Sequence, residues 1–340
     1  MAEKLIGSAI FGQSGGPTAV INASAYGVIK TALEAEEITK VYGAAYGIKG
    51  VLGDQLYIMD EEDPEELKLL LNTPSSELGS CRYKMKDPEA DDTDYKRILE
   101  IFQKYNVRYF FYNGGNDSMD TCNKISRYME SVGYPVRVIG VPKTVDNDLY
   151  GTDSTIGYDT TMNTIMECVD RIRDTANSHE RIFFVEVMGR DAGFLAQNCA
   201  IACGAEAAIV PEETTNVDQL AEFMGRGIRK SKKSCIVIVS ESPKCGALYY
   251  ADRVKKEFPG FDVRVSILGH LQRGGSPSAH DRILASCTGA GAIEAIKQGQ
   301  RNVMVGIRNN EVVYVPFSEC IRTDKRFDKR LITVLNELSI

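Results

Sequence analysis

The segment Leu5-Ile6-Gly7-Ser8-Ala9-Ile10-Phe11-Gly12-Gln13-Ser14-Gly15-Gly16-Pro17 passes from an apolar run through a glycine pair into the stretch Ala19–Leu33. In that stretch Val20/Ile21, Ser24/Ala25, Val28/Ile29 and Ala32/Leu33 recur every four residues, which draws one apolar stripe along a helix. The same alternation repeats down the chain. Apolar runs at Leu5–Phe11, Lys40–Ala45, Val107–Tyr112, Val136–Val141, Arg181–Val187, Cys235–Ser240 and Val263–Leu268 predict strands. Asp94–Tyr105, Ser118–Ser131, Thr160–Arg173, Asp218–Arg229 and Asp281–Gln298 predict helices between them. Strands that are apolar throughout belong to parallel sheets covered on both faces, so the fold class is α/β, doubly wound. Near the end, Asn302–Ile307 and Val312–Pro316 flank Asn309-Asn310 as a hairpin, and a helix closes the chain.

At 340 residues the chain is long enough for two domains of roughly 150 residues each. Hydrophobic residues at 43% and charged residues at 26% are the composition of a soluble globular protein. A net charge of −7 argues against a nucleic-acid or anionic-membrane partner, because both select a basic surface. No apolar run approaches the roughly 18 residues of a membrane span. Leu5–Phe11 is too short for a signal sequence, and the expected location is cytoplasmic. Nine cysteines without a CxxC, and three histidines, indicate neither a disulfide framework nor a zinc site. Cys199 and Cys203, four apart on an expected helix, read as core residues.

In open parallel sheets ligands bind beyond the carboxyl ends of the strands, so the loops there carry the chemistry. Gly15 and Gly16 let backbone N–H groups approach an anion at a helix start, or simply make a tight turn. Neither GxxxxGK[ST] nor GxGxxG occurs anywhere, which removes P-loop kinases and weakens a dinucleotide reading. Asn113-Gly114-Gly115-Asn116-Asp117-Ser118 follows a strand; Ser118 suits an N-cap, and Asn116 and Asp117 could hold Mg²⁺ beside a phosphate. Pro142-Lys143-Thr144-Val145-Asp146-Asn147-Asp148 follows another strand. In an extended segment Asp146 and Asp148 would point the same way, one acting as a base and the other binding or positioning metal. Met188-Gly189-Arg190 and Gly269-His270-Leu271-Gln272-Arg273 are basic, and Arg190, Arg264 and Arg273 are forks suited to phosphate. Glycine cradles, an acidic pair and several cations together read as phosphoryl transfer onto a phosphorylated substrate.

At these loops the chain resembles the phosphofructokinase family, specifically its pyrophosphate-dependent branch. The likeness rests on SGG at 14–16, PKTVDND at 142–148, SHERIFFVEVMGR at 178–190 and LGHLQRGGSP at 268–277. It implies two Rossmann-like parallel-sheet domains with the active site in the cleft between them, the chain crossing more than once. The implied division is 1–157 plus 272–322 for the phosphoryl donor and 158–271 plus 323–340 for fructose 6-phosphate. By this likeness Asp146 is the catalytic base toward the sugar 1-hydroxyl, with Thr144 and Asp148 orienting substrate and metal. Gly15 and Arg82 would hold the donor phosphates. Met188, Gly189, Arg190, Glu241, Arg264, His270 and Arg273 would form the sugar-phosphate pocket. Arg181 and Arg264 match arginines that reach the sugar phosphate from a neighbouring subunit, implying a homodimer or homotetramer. The implied cofactor is Mg²⁺.

Donor choice is read from Asp117 and Lys143, which stand where ATP-using bacterial relatives carry glycine. A carboxylate at 117 would occupy and repel an α-phosphate, and the lysine would neutralise pyrophosphate. Ala45 falls where ATP-dependent relatives stack an aromatic ring on adenine. Asn116 replaces an acid, so its metal ligation is neutral and weaker, direct or through water. Pro17-Thr18-Ala19-Val20 replaces the family's DAPG. Tyr26 and Lys30 replace effector-site arginines, while Arg173, Lys230 and Lys232 remain, so weak or no nucleotide regulation is expected. The expected reaction is reversible, Mg²⁺-dependent transfer from pyrophosphate to fructose 6-phosphate. The alternatives are an ATP-dependent 6-phosphofructokinase and a non-catalytic sugar-phosphate-binding paralogue.

Overall fold

The strand Val107–Gly114 is buried along almost its whole length because other strands flank it on both sides. Its alternate side chains go to opposite faces. Tyr109 and Phe111 cluster with Ala9, Phe11 and Ile139, whereas Phe110 and Tyr112 cluster with Ile10 and Val138. Burial on both faces is why the sequence shows a continuous apolar run there.

The structure is a computed structural model that describes residues 5–213, 234–242 and 245–338. The chain forms two units. The first takes residues up to Thr144, Leu149–Gly157 and Ser276–Lys325; the second takes Val145–Asp148, Tyr158–Gly275 and the chain from Arg326. The first unit's sheet has β1 (Gly7–Gln13), β2 (Ile38–Ala44), β3 (Leu56–Ile58), β4 (Val107–Gly114), β5 (Arg137–Pro142), β10 (Val303–Arg308) and β11 (Glu311–Pro316). They are ordered β11-β10-β5-β4-β1-β2-β3. The five central strands are parallel, and β3 and β11 are added antiparallel at the two edges. Asn309 and Asn310 close the β10–β11 hairpin with φ of 51° and 64°, the left-handed pair that a two-residue turn requires.

The second unit's sheet is parallel throughout, ordered β7-β8-β6-β9 from β6 (Ile182–Val187), β7 (Ala207–Ile209), β8 (Cys235–Ser240) and β9 (Val263–Ile267). Phe183, Val185 and Val187 face one apolar cluster, and Ile182 and Phe184 the other. The α/β class with mostly parallel sheets is as the alternating runs imply. Among the described residues no helix is long and apolar enough to cross a membrane.

Several expectations are corrected. The first domain is not continuous over 1–157, because residues 145–148 belong to the second unit. Val145 is the reason: its side chain is buried with Tyr158, Val187 and Met188. The later crossings fall after Gly275 and Lys325 rather than after 271 and 322. Three-residue strands such as β3 and β7 are too short to raise an apolar-run signal. The expected helix Asp218–Arg229 lies outside the described residues. Of the nine cysteines, Cys287 alone is exposed. Burial pushes the Cys122 and Cys199 thiols well up, Cys203 to about 11 and Cys320 to about 12.

The helix Ile21–Leu33 packs closely on the helix Ala279–Lys297. A Cβ at Gly27 would lie 3.0 Å from the Cα of Gly289, and one at Gly289 would lie 2.5 Å from the carbonyl of Ser24. No larger side chain fits without parting the helices. Gly289→Val should therefore destabilise the first unit by about 3 kcal/mol, the upper part of the overpacking range. The unfolding midpoint in urea checks this, and an unchanged midpoint would mean that the helices separate at no cost.

Candidate functional site

In the first unit the ends of β1, β4 and β5 are tied together by main-chain bonds. Ser14 N–H donates to the Asn113 carbonyl at 2.8 Å, and Lys143 N–H to the Gly114 carbonyl at 2.9 Å. β1 runs on into Gly15, whose φ of 77° is left-handed. Gly15 N–H donates to the Cys81 carbonyl at 3.2 Å, and Ser80 Oγ donates to the Gly15 carbonyl at 2.5 Å. That places Arg82, exposed, on the segment backing the glycine loop. Lys143 is only 2% exposed, and its Nζ donates to the Gly16 carbonyl at 2.6 Å. A Cβ at Gly15 would sit 3.2 Å from that ammonium. A glycine turn with a buried cation against it is a cradle for an anion.

Asn116 and Asp117 are exposed in the first turn of the helix Asn116–Ser131. The N-cap is Gly115, not the expected Ser118. Ser118 is instead buried where Gly114 has no side chain: a Cβ there would lie 2.0 Å from its Oγ. Thr144 is fixed through its carbonyl, which accepts from Thr155 Oγ1 at 2.6 Å. Ala45 is buried, and the next residue, Tyr46, is 60% exposed. Tyr46 N–H donates to the Leu78 carbonyl at 2.7 Å, and a Cβ at Gly79 would lie 2.6 Å from the tyrosine ring. An open aromatic face therefore lies one residue beyond the position expected to lack one. Which of these two adjacent side chains turns outward is set by the fold and not by any local motif.

In the second unit Asp146 and Asp148 are half-buried. Asn147 between them has a φ of 54°, so the segment is bent and the extended two-residue alternation expected for the aspartates does not hold. Burial raises the Glu241 carboxyl above its usual range, and the charges of Asp146 and Glu186 add to this, while Arg273 and His270 oppose it. Asp146, Glu241, His270 and Arg273 thus share one electrostatic neighbourhood. Gly189 has φ 141°, and a Cβ on it would meet the Ala192 carbonyl at 2.3 Å and Ser240 Oγ at 2.7 Å. Arg190 is exposed, also at positive φ, 3.6 Å from the Asp191 carboxylate. Gln272, which sequence reasoning passed over, ties these loops together. Its buried Oε1 accepts from Met188 N–H at 3.0 Å, and its Nε2 donates to the Gly269 carbonyl at 3.0 Å.

Arg181 and Arg264 are not in this group. They stand at the amino-terminal edge of β6 and β9, where both pair with Asp262. Of the effector-position residues, Lys30 pairs with Glu34 at 2.7 Å and Arg173 donates to the Cys203 carbonyl. Lys230 and Lys232 lie outside the described residues. Among the described residues no three His, Cys, Asp or Glu side chains converge as a metal-ligand set.

The Glu241 shift gives a direct check. In Asp146→Asn the neighbouring negative charge is gone, so the Glu241 carboxyl should ionise at lower pH than in the parent. Carboxyl carbon titration of labelled glutamate would measure this, and an unmoved Glu241 would separate the two groups.

Comparison with known proteins extends the geometry. The family described as PFK, phosphofructokinase, matches residues 8–296. An ATP-dependent 6-phosphofructokinase 2 of Bacteroides thetaiotaomicron is 49% identical over 329 residues, covering 96% of this chain and 97% of the relative. An ATP-dependent 6-phosphofructokinase of Staphylococcus epidermidis is 39% identical over 96% of this chain and 98% of its own. Among solved structures, a pyrophosphate-dependent phosphofructokinase from Marinobacter aquaeolei superposes with a TM-score of 0.85 at 32% identity, covering 97% of this chain and 88% of that one. One from Nitrosospira multiformis gives 0.86 at 32% identity, over 95% and 86%. On the family match and these identities, the chain belongs to the phosphofructokinase family.

Proposed function

We propose that the chain transfers a phosphoryl group from pyrophosphate to the 1-hydroxyl of fructose 6-phosphate, reversibly and with Mg²⁺. The observation that carries the donor choice is Lys143, whose buried ammonium lies against the glycine turn at Gly15-Gly16. There it would neutralise charge on the transferring phosphate and the phosphate that leaves. Asp117, exposed at the start of its helix, would repel the α-phosphate of a nucleotide. The glycine turn at Gly15 and the Arg82 guanidinium would complete the donor contacts, the Gly15 N–H by exchanging its bond to the Cys81 carbonyl for one to phosphate.

On the acceptor side Asp146 takes the proton from the 1-hydroxyl as that oxygen attacks phosphorus. Thr144 and Asp148 orient the reacting groups. Glu241 accepts hydrogen bonds from sugar hydroxyls, while Met188, Gly189, Arg190, His270 and Arg273 hold the sugar phosphate. Mg²⁺ needs oxygen ligands and keeps several waters, so phosphate oxygens with one or two protein oxygens suffice. The Asp148 carboxylate and the Asn116 amide are donors of that kind and would hold it. When bound, it supplies charge neutralisation on the phosphates. Arg181 and Arg264, at the far edge of their sheet, would serve the pocket of another copy in a homodimer or homotetramer.

A second reading takes ATP as donor. The names of the 49% and 39% identical relatives back it more directly than they back pyrophosphate, whose named relatives are 32% identical. The exposed ring of Tyr46 also favours it, since it offers a face for a base. The two readings differ in measurable ways. The ratio of kcat/KM for ATP to that for pyrophosphate should favour pyrophosphate in the parent and rise in Asp117→Gly. Lys143→Gly should lose pyrophosphate turnover by about 3 kcal/mol, on the scale of one transition-state electrostatic contact. Tyr46→Ala should leave the pyrophosphate constants unchanged. A parent that prefers ATP, or a ratio untouched by Asp117→Gly, would replace the pyrophosphate reading by the ATP one.

Asp146→Asn keeps the shape and removes the base. Turnover should fall by about 10²–10⁴-fold with little change in KM for fructose 6-phosphate. Near-normal turnover in the purified variant would assign the base elsewhere.

A further inference from the structure

Arg181 stands immediately before β6, Asp262 immediately before β9, and Arg264 is the second residue of β9. The parallel register pairs Ile182 with Val263, and Ile182 N–H donates to the Asp262 carbonyl at 3.0 Å. The backbone thereby sets Arg181 beside Asp262. Asp262 Oδ2 accepts from Arg181 Nε at 2.7 Å and from Arg264 Nη2 at 3.2 Å, and Oδ1 lies 3.0 Å from the same Arg264 nitrogen. One carboxylate holds two guanidiniums that would otherwise repel each other. Hydrogen bonding to Arg181, with the nearby Arg264 charge, keeps the Asp262 carboxyl below its usual range.

The donors left over matter more than the pairs themselves, since exposed ion pairs stabilise little. Arg181 Nη1 reaches Thr175 Oγ1 at 3.4 Å. Arg181 Nη2 and the Nε and Nη1 of Arg264 have no protein acceptor among the described residues. Two guanidiniums gathered on one oxygen, with a net positive charge and three nitrogens still to donate, form a fork for a phosphate dianion. This fork is far from the chain's own pocket loops. The six residues of β6, about 20 Å at roughly 3.3 Å each, separate Arg181 from Met188.

We propose that Asp262 is a positioning residue that gathers Arg181 and Arg264 into one fork for the phosphate of fructose 6-phosphate bound to a second copy of this chain. The assignment rests on the sugar-phosphate reading above. Asp262 does not touch the phosphate; it sets the angle and spacing of the two side chains that do. Without it each guanidinium turns independently into solvent, and the ordering that the aspartate supplies beforehand must be met on binding.

The test is steady-state kinetics of the full-length oligomer as parent, Asp262→Ala, Asp262→Asn and Asp262→Glu. KM for fructose 6-phosphate should rise about tenfold in Asp262→Ala and Asp262→Asn, as expected when charge-assisted contacts are loosened. Their kcat should stay within about twofold and the donor KM should not move, while Asp262→Glu recovers most of the loss. Charge alone predicts the opposite sign, because removing an anion beside a phosphate site would tighten binding. A KM that is unchanged or lowered therefore overturns the proposal. So does a matching loss in kcat and in both KM values, which marks a purely structural role. A parent that turns over no fructose 6-phosphate with either donor overturns the transfer reading and this one with it. Parent turnover with a flat KM series overturns only the role of Asp262.

Discussion

A single peptide linkage sets the terms for the whole molecule. Lys143 and Thr144 belong to the first unit and Val145 to Asp148 to the second, so the chain changes units between one residue and the next. Lys143 and Asp146 are three residue steps apart, and a fully extended chain spans at most about 11 Å over that distance. On the proposed reading, the cation assigned to the phosphoryl donor and the carboxylate assigned to the acceptor thus come from one short stretch of chain. On each side of this linkage the chain is anchored within its own unit. Lys143 is fixed to Gly114 and Gly16, Thr144 to Thr155, and Val145 is buried among the apolar side chains of the second unit.

The sheets on either side of this linkage follow from burial. Strands with helices on both faces must be apolar throughout, so their positions are legible as runs of Val, Ile, Phe and Tyr. The same rule hides what is short or set by contact at a distance. Ala207–Ile209 is a strand only because Val237–Val239 lies beside it to pair with. Asp146 and Asp148 were legible as an acidic pair beyond a strand, but the bend at Asn147 was not, because an asparagine tolerates left-handed backbone without requiring it. Gln272 carries no charge and belongs to no chemical motif of its own. Its importance lies in joining the Met188 and Gly269 loops, a relation between segments far apart in sequence.

On the proposed reading, discrimination between phosphoryl donors would rest on very few atoms. Pyrophosphate and a nucleoside triphosphate present the same terminal groups, so only what lies beyond them can be read. On that reading Asp117 and Lys143 would act there through sign of charge, whereas Tyr46 would offer area for a ring. Charge repulsion at short range is steep and stacking is shallow, so one carboxylate can outweigh an exposed aromatic face.

The cysteines have a practical consequence. Only a thiolate attacks alkylating reagents readily, and burial keeps Cys122, Cys199, Cys203 and Cys320 protonated well above neutrality. Cys287 alone is exposed, on the outer part of a helix whose neighbouring turn packs on Gly27. A maleimide dye added at neutral pH would thus mark this position first. Such a reporter would move with the first unit without any cysteine having to be engineered in or out.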